Sequence, residues 1–249
     1  MHHKRVNKFL PAIRALQRNR PFTKQDLIVD PFLLEKDGDI HMYYSPHNEY
    51  INTDAKIVIV GITPGWNQMK TAFTQFLKSD ASGAPLQVCL QRTKEAASFT
   101  GSMRSNLLDM IEQCNIPRAL DVRFASDLFG RSRHLLHTTS IIKYPVFFKD
   151  KNYTGHQPSI DNSSLLRHYA YKEFPHELAQ ITSPALVIPL GRTVEQAFFK
   201  LIGEHKLPNH CFLTGFPHPS GANGHRHKQF QQQKDHLIRQ INAWSNRKP

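Results

Sequence analysis

The stretch Lys56-Ile57-Val58-Ile59-Val60-Gly61-Ile62-Thr63-Pro64-Gly65 decides the fold class of this chain. Four apolar residues in a row, with no polar alternation, read as a strand buried on both faces. Thr63-Pro64-Gly65 closes it in a tight turn. Three more segments read as strands: Leu135 to Ile142, Ala185 to Leu190 and Cys211 to Phe216. Helical stretches lie between them. Thr193 with Gln196 predicts a capping box opening a helix through Phe198, Phe199, Leu201 and Ile202. Phe230, Leu237, Ile238, Ile241 and Trp244 line one face of a last helix. Apolar strands alternating with helices predict an α/β sandwich around a parallel sheet.

Working outward, the first 55 residues differ from the rest. Val6, Phe9, Leu10, Ile13 and Leu16 recur at helical spacing, with Lys8, Arg14, Arg18 and Arg20 around them. Pro11 falls inside the pattern, where a helix is expected to start or break. Pro21, Pro31, Pro46 and Lys36-Asp37-Gly38-Asp39 mark the remainder as loop-rich. Residues 1–55 therefore read as a basic extension packed on a main domain of residues 56–249.

Composition narrows the function. The 249 residues carry 32 Lys+Arg against 20 Asp+Glu, a net charge of +12, and 39% are hydrophobic, which excludes wholesale disorder. The apolar runs fall well short of the about 20 residues a membrane helix needs. Met1-His2-His3-Lys4-Arg5-Val6 is basic but lacks the apolar stretch of a signal peptide. Cys89, Cys114 and Cys211 are odd in number and never in a C-x-x-C pair. That argues against a disulfide framework and against a cysteine-only zinc or iron–sulphur site, and a cytoplasmic location is the simplest expectation. The positive charge favours a polyanionic partner, nucleic acid first, although a basic protein that merely stays soluble is the alternative. The N-terminal helix then has two readings of equal weight: it touches DNA phosphate, or it covers an apolar face.

In open α/β sheets, ligands bind beyond the carboxyl ends of the strands. Two turn-rich sequences fall there: Gly61-Ile62-Thr63-Pro64-Gly65-Trp66-Asn67-Gln68, and Gly215 to Arg226 with His218-Pro219-Ser220-Gly221-Ala222-Asn223 at its centre. Together they resemble the two signature motifs of the uracil-DNA glycosylase superfamily, G-x-x-P-G and H-P-S-x-x-N. Phe99-Thr100-Gly101, the segment Thr138 to Pro145 and Pro189-Leu190-Gly191-Arg192-Thr193 resemble further family segments in the same order. The likeness covers roughly residues 56–244. It implies a three-layer α/β/α sandwich with a central, mainly parallel four-stranded sheet, and an enzyme that excises a base from DNA. No cofactor, metal, membrane or iron–sulphur cluster is expected, and a monomer is.

The resemblance assigns roles residue by residue. Phe99 stacks on the extruded base, with Ile62 and Ser140 also lining it. His218 donates a hydrogen bond to the charge that gathers on the leaving pyrimidine, as in an oxyanion hole. Pro217 and Pro219 fix the backbone on either side of it. Pro64, Gly65, Lys143, Ser220, Asn223, His225 and Arg226 are expected to contact DNA.

Three positions depart from the family pattern. Thr63 stands where an Asp or Asn often orients the attacking water, Ser102 stands where some branches use Asp, and Ser140 replaces the Asn that reads uracil. Thr63, Asn67 and Ser102 remain as weak positioners of water. A site without the bidentate amide no longer rejects other pyrimidines. The expected substrate is therefore a modified pyrimidine, such as the glucosylated 5-hydroxymethylcytosine of phage DNA, which would make the protein a defence enzyme. The alternatives are repair of uracil or another deaminated base, a non-catalytic DNA-binding member of the fold, and a metal-dependent nuclease built on His218, His225 and His227.

Overall fold

The computed structural model describes residues 4–17 and 19–246, so Met1 to His3 and the Arg18 of the basic helix lie outside the described residues. Eight strands occur among them: β1 (Leu33–Asp37), β2 (Ile40–Tyr43), β3 (Ile57–Gly61), β4 (Leu136–Ser140), β5 (Val146–Phe148), β6 (Lys151–Asn152), β7 (Leu186–Pro189) and β8 (Cys211–Phe212). The chain divides into two compact units. Unit 1 holds the described residues of 1–51, 63–100 and 142–170, and unit 2 those of 52–62, 101–141 and 171–249.

Unit 2 is built on the expected parallel sheet, in the order β4-β3-β7-β8. The central β3 pairs with β4 from Ile57↔Leu136 to Gly61↔Ser140, and with β7 from Ile57↔Leu186 to Val60↔Pro189. Ile57, Val58, Ile59 and Val60 are all fully buried, and each such side chain contributes about 1.5–3 kcal/mol on leaving water. The α/β class and the four-stranded parallel sheet are therefore as expected.

The fourth strand is shorter than the sequence suggests. Its last ladder bond runs from the Leu213 N–H to the Val187 carbonyl. The Thr214 N–H then turns to the Gln240 side chain and the Gly215 N–H to the Glu195 carboxylate, which draws the chain out of the sheet. The helix after β7 also starts differently. It spans Arg192–Gly203 behind Gly191 at φ +81°, with no side-chain cap, so the Thr193–Gln196 box does not form. The entry is fixed instead by a bond from the Gly191 N–H to the Phe216 carbonyl, 2.8 Å. The last helix, Arg226–Ser245, buries Phe230, Leu237, Ile241 and Trp244 as its periodicity requires.

Unit 1 contains a second sheet that loop-like composition concealed. It is antiparallel, in the order β1-β2-β5-β6. The β1–β2 hairpin turns at Gly38-Asp39, with Gly38 at φ +57° in the left-handed region such a two-residue turn demands. The N-terminal helix spans Lys4–Arg14 and continues through Pro11. Pro11 is exposed, and so is Asn7, the residue whose carbonyl loses its helical donor; water satisfies it. The helix buries Val6, Phe9 and Ile13 within unit 1, where Phe9 stacks on Tyr44 at 4.1 Å. The helices Trp66–Ala81 and Leu86–Ala97 complete this unit, with Phe73 edge-on to Phe32. No described helix is long and apolar enough to cross a membrane.

Candidate active site

In unit 2 the chain leaves β8 and runs into Pro217-His218-Pro219-Ser220. Side-chain amides hold this loop. The Asn106 Nδ2 donates to the Pro219 carbonyl at 2.8 Å, and the Asn223 Nδ2 donates to the His218 carbonyl at 3.1 Å and to Gln229 at 2.9 Å. The Ser220 Oγ accepts the Ala222 N–H. Asn223 thus has its amide directed into its own loop, while Ser220 keeps a hydroxyl proton to donate. Gly191 sets the distance of approach. A Cβ there would stand 2.8 Å from the His218 Cβ, and at φ +81° any side chain is strained. Only glycine lets His218 lie where it does. Sequence reading passed over Gly191 as a site residue, although its place directly after a buried strand was a usable sign.

The imidazole of His218 has a defined protonation pattern. Its Nδ1 accepts the Ser220 N–H at 3.2 Å, and burial pushes its pKa down to about 4. Near neutral pH the ring is therefore uncharged and carries its proton on Nε2. That Nε2 has no hydrogen-bond partner among the described residues. Two other histidines of unit 2 form a contrast. His210 accepts the Ala185 N–H on Nδ1 and offers Nε2 to the Leu178 carbonyl, and His137 accepts the Asn52 N–H while its Nε2 meets the Glu177 carboxylate at 3.1 Å. Both are bonded at each nitrogen. His218 presents a donor that the protein leaves open.

The other expected residues of unit 2 lie at element ends. Ser140 closes β4 opposite Gly61, with 8% of its surface exposed. Ile62 follows β3 and is half-buried. Ser102 is exposed and opens the helix Ser102–Gln113 behind Gly101 at φ +87°. His225 is exposed beside Arg226, at the start of the last helix. No group of three or more His, Cys, Asp or Glu side chains able to hold a metal occurs among the described residues.

Unit 1 holds the threonine turn. The Thr63 hydroxyl donates to the Tyr144 carbonyl at 2.7 Å and accepts the Val146 N–H at 3.2 Å, so its one proton is committed to the backbone. Pro64 is buried, and Gly65 precedes the helix Trp66–Ala81. The Asn152 Oδ1 accepts the Trp66 N–H at 2.9 Å and satisfies one of the orphan donors of that helix end. Asn152 comes from β6, far along the chain, and nothing local announced it. Asn67 is exposed on the first helical turn, and Lys143 is half-buried beside Tyr144. Phe99 stands at φ +50°, a conformation that costs a bulky residue about 1–3 kcal/mol, and its ring is nearly buried.

Comparison with known proteins agrees with the two motifs. The family model described as the uracil DNA glycosylase superfamily matches residues 49–242. The chain is 52% identical over 223 residues to a Bacillus subtilis (strain 168) protein printed as "Uncharacterized protein YoxB", covering 90% of this chain and 87% of that one. No solved structure matches. With threonine and histidine turns at the expected strand ends and the family model spanning most of its length, this chain belongs to the uracil DNA glycosylase superfamily.

Proposed function

We propose that the protein is a monofunctional DNA glycosylase acting on a modified pyrimidine, with His218 as the group that eases the base away. The observation that carries this reading is the neutral imidazole whose Nε2–H has no partner among the described residues. As the N-glycosidic bond breaks, its electron pair stays with the base and negative charge collects on the ring oxygen. A neutral donor held in place beforehand stabilises that charge and needs little reorganisation. Water adds to the sugar carbon, its proton passes to solvent, and the base is released over an abasic site.

The remaining roles follow the same reading. Flipping the base costs a few kcal/mol, and stacking on an aromatic ring returns about 1–3 kcal/mol, the part assigned to Phe99. Asn67 and Ser102 are exposed polar groups able to orient the water, and an oxocarbenium-like centre requires only a weak activator. Ser140 leaves room where an amide would read uracil, so the pyrimidine carries a substituent. Gly65, Lys143, Ser220, His225 and Arg226 face DNA, while buried Pro64 shapes the threonine turn and Asn223 the histidine loop.

The test is a panel of duplexes containing uracil, hypoxanthine, 5-hydroxymethylcytosine or its glucosylated form, assayed for abasic sites. Release of a substituted pyrimidine is expected, whereas cleavage of uracil alone contradicts the modified-base assignment. A second reading, a DNA-binding member without catalysis, draws support from the Thr63 hydroxyl being committed to backbone. His218→Ala separates the two: it lowers base release by about 10²–10³ in an enzyme, whereas in a binder it barely alters DNA affinity and there is no release to lower.

A further inference from the structure

The family match begins at Glu49, so the N-terminal helix Lys4–Arg14 precedes it. Within unit 1 this helix nevertheless reaches a residue that holds the threonine turn. Tyr144 is almost wholly buried. Its carbonyl accepts the Thr63 hydroxyl, and its own hydroxyl donates to the Glu49 Oε1 at 2.7 Å. Arg5 lies with its guanidinium carbon 5.2 Å from the centre of the Tyr144 ring, a cation–π contact. One turn on, Phe9 stacks on Tyr44, whose ring stands 6.1 Å from that of Tyr144.

We propose that Tyr144 is a positioning residue for the Thr63 turn, and that the N-terminal helix acts on the site through it, with Arg5 over its ring and Glu49 on its hydroxyl. The phenol is held at both ends. The helix side fixes the ring, and the ring fixes the carbonyl to which Thr63 is tied. Arg5 is exposed at the surface of unit 1, so contact with DNA phosphate is the competing explanation, and the two differ in what they change.

The experiment compares Arg5→Ala, Arg5→Lys and Tyr144→Phe, the last removing one oxygen and nothing else. Amide hydrogen exchange at Val146, whose N–H donates to Thr63, reads the turn without any reaction. Base release at saturating DNA and the salt dependence of binding read its consequence, and that arm rests on the glycosylase assignment. Exchange at Val146 is expected to speed by about tenfold in Arg5→Ala and Tyr144→Phe, with Arg5→Lys partly restored. Base release is expected to fall about tenfold while DNA affinity and its salt slope stay unchanged. Unchanged exchange at Val146 in both variants overturns the proposal. So does a salt slope lowered by about one in Arg5→Ala with release at saturation intact, the signature of a phosphate contact. If the wild-type protein releases no base, the glycosylase assignment fails and the exchange result alone decides this one.

Discussion

The two signature turns use their polar side chains in opposite ways. In unit 1 the Thr63 hydroxyl is bonded to the backbone as both donor and acceptor. In unit 2 the backbone occupies only one nitrogen of His218 and leaves the other as an open donor. Both side chains sit on Pro-containing turns near strand ends, yet one braces the protein and the other is available for substrate. The difference teaches that a motif's spacing does not say which of its members does chemistry; the hydrogen-bond partners do. On the proposed reading, catalysis is concentrated in the histidine turn and the threonine turn supports it.

The sharpest way to break this comparison is His218→Ala. Loss of one preorganised donor to developing charge costs about 10²–10³ in rate, so single-turnover base release is expected to fall that far while DNA affinity holds within about twofold. Equal loss of affinity and rate in a DNA-binding titration would make His218 a binding residue instead. Next in size is Gly191→Ala, which forces a Cβ against His218 at a strained φ. Thermal unfolding should register about 1–3 kcal/mol of destabilisation, and base release from the folded fraction is expected to fall at least tenfold.

Thr63→Val probes the other turn. It leaves the Tyr144 carbonyl and Val146 N–H without their partner, a cost of about 1–3 kcal/mol in a denaturant titration. Base release per folded molecule is expected to drop less than in His218→Ala; a larger drop reverses the ranking of the two turns.

The last prediction is the pH dependence of stability. The His218 pKa is about 4 in the folded protein against an ordinary 6.5, so between those values the unfolded chain binds the extra proton. The stability from a neutral, buried ring is complete above pH 6.5 and is lost as pH falls toward 4, by at most about 1.4 kcal/mol per unit. Subtracting the curve of His218→Gln from that of the wild type isolates this slope, and base release should show no inflection near 6.5.

Much of unit 2 was legible because its signals are local. A run such as Ile57-Val58-Ile59-Val60 cannot be half-exposed, so a parallel sheet followed from it. The loop around His218 was legible because two prolines constrain it whatever the surroundings. The antiparallel sheet of unit 1 was not. Its strands are two to five residues long and rich in polar side chains, and Met42 pairs with Val146 across about a hundred residues. A local sign was Asp37-Gly38 between the apolar Leu33-Leu34 and Ile40, which indicates a hairpin as readily as a loop. Gly191 and Asn152 acquire their roles only from partners distant in the chain, Phe216 and Trp66. Thr193 with Gln196 matched a cap in spacing, but the helix begins two residues too early for Thr193 to serve.

The most direct test of the difference between the two turns is nitrogen NMR of the His218 imidazole across pH 5 to 8. A neutral ring is expected throughout, protonated on Nε2 with Nδ1 accepting the Ser220 N–H, and no titration near 6.5. A proton on Nδ1 of the neutral ring would remove the open donor on which the proposed chemistry depends, and a midpoint close to 6.5 would contradict the neutral ring.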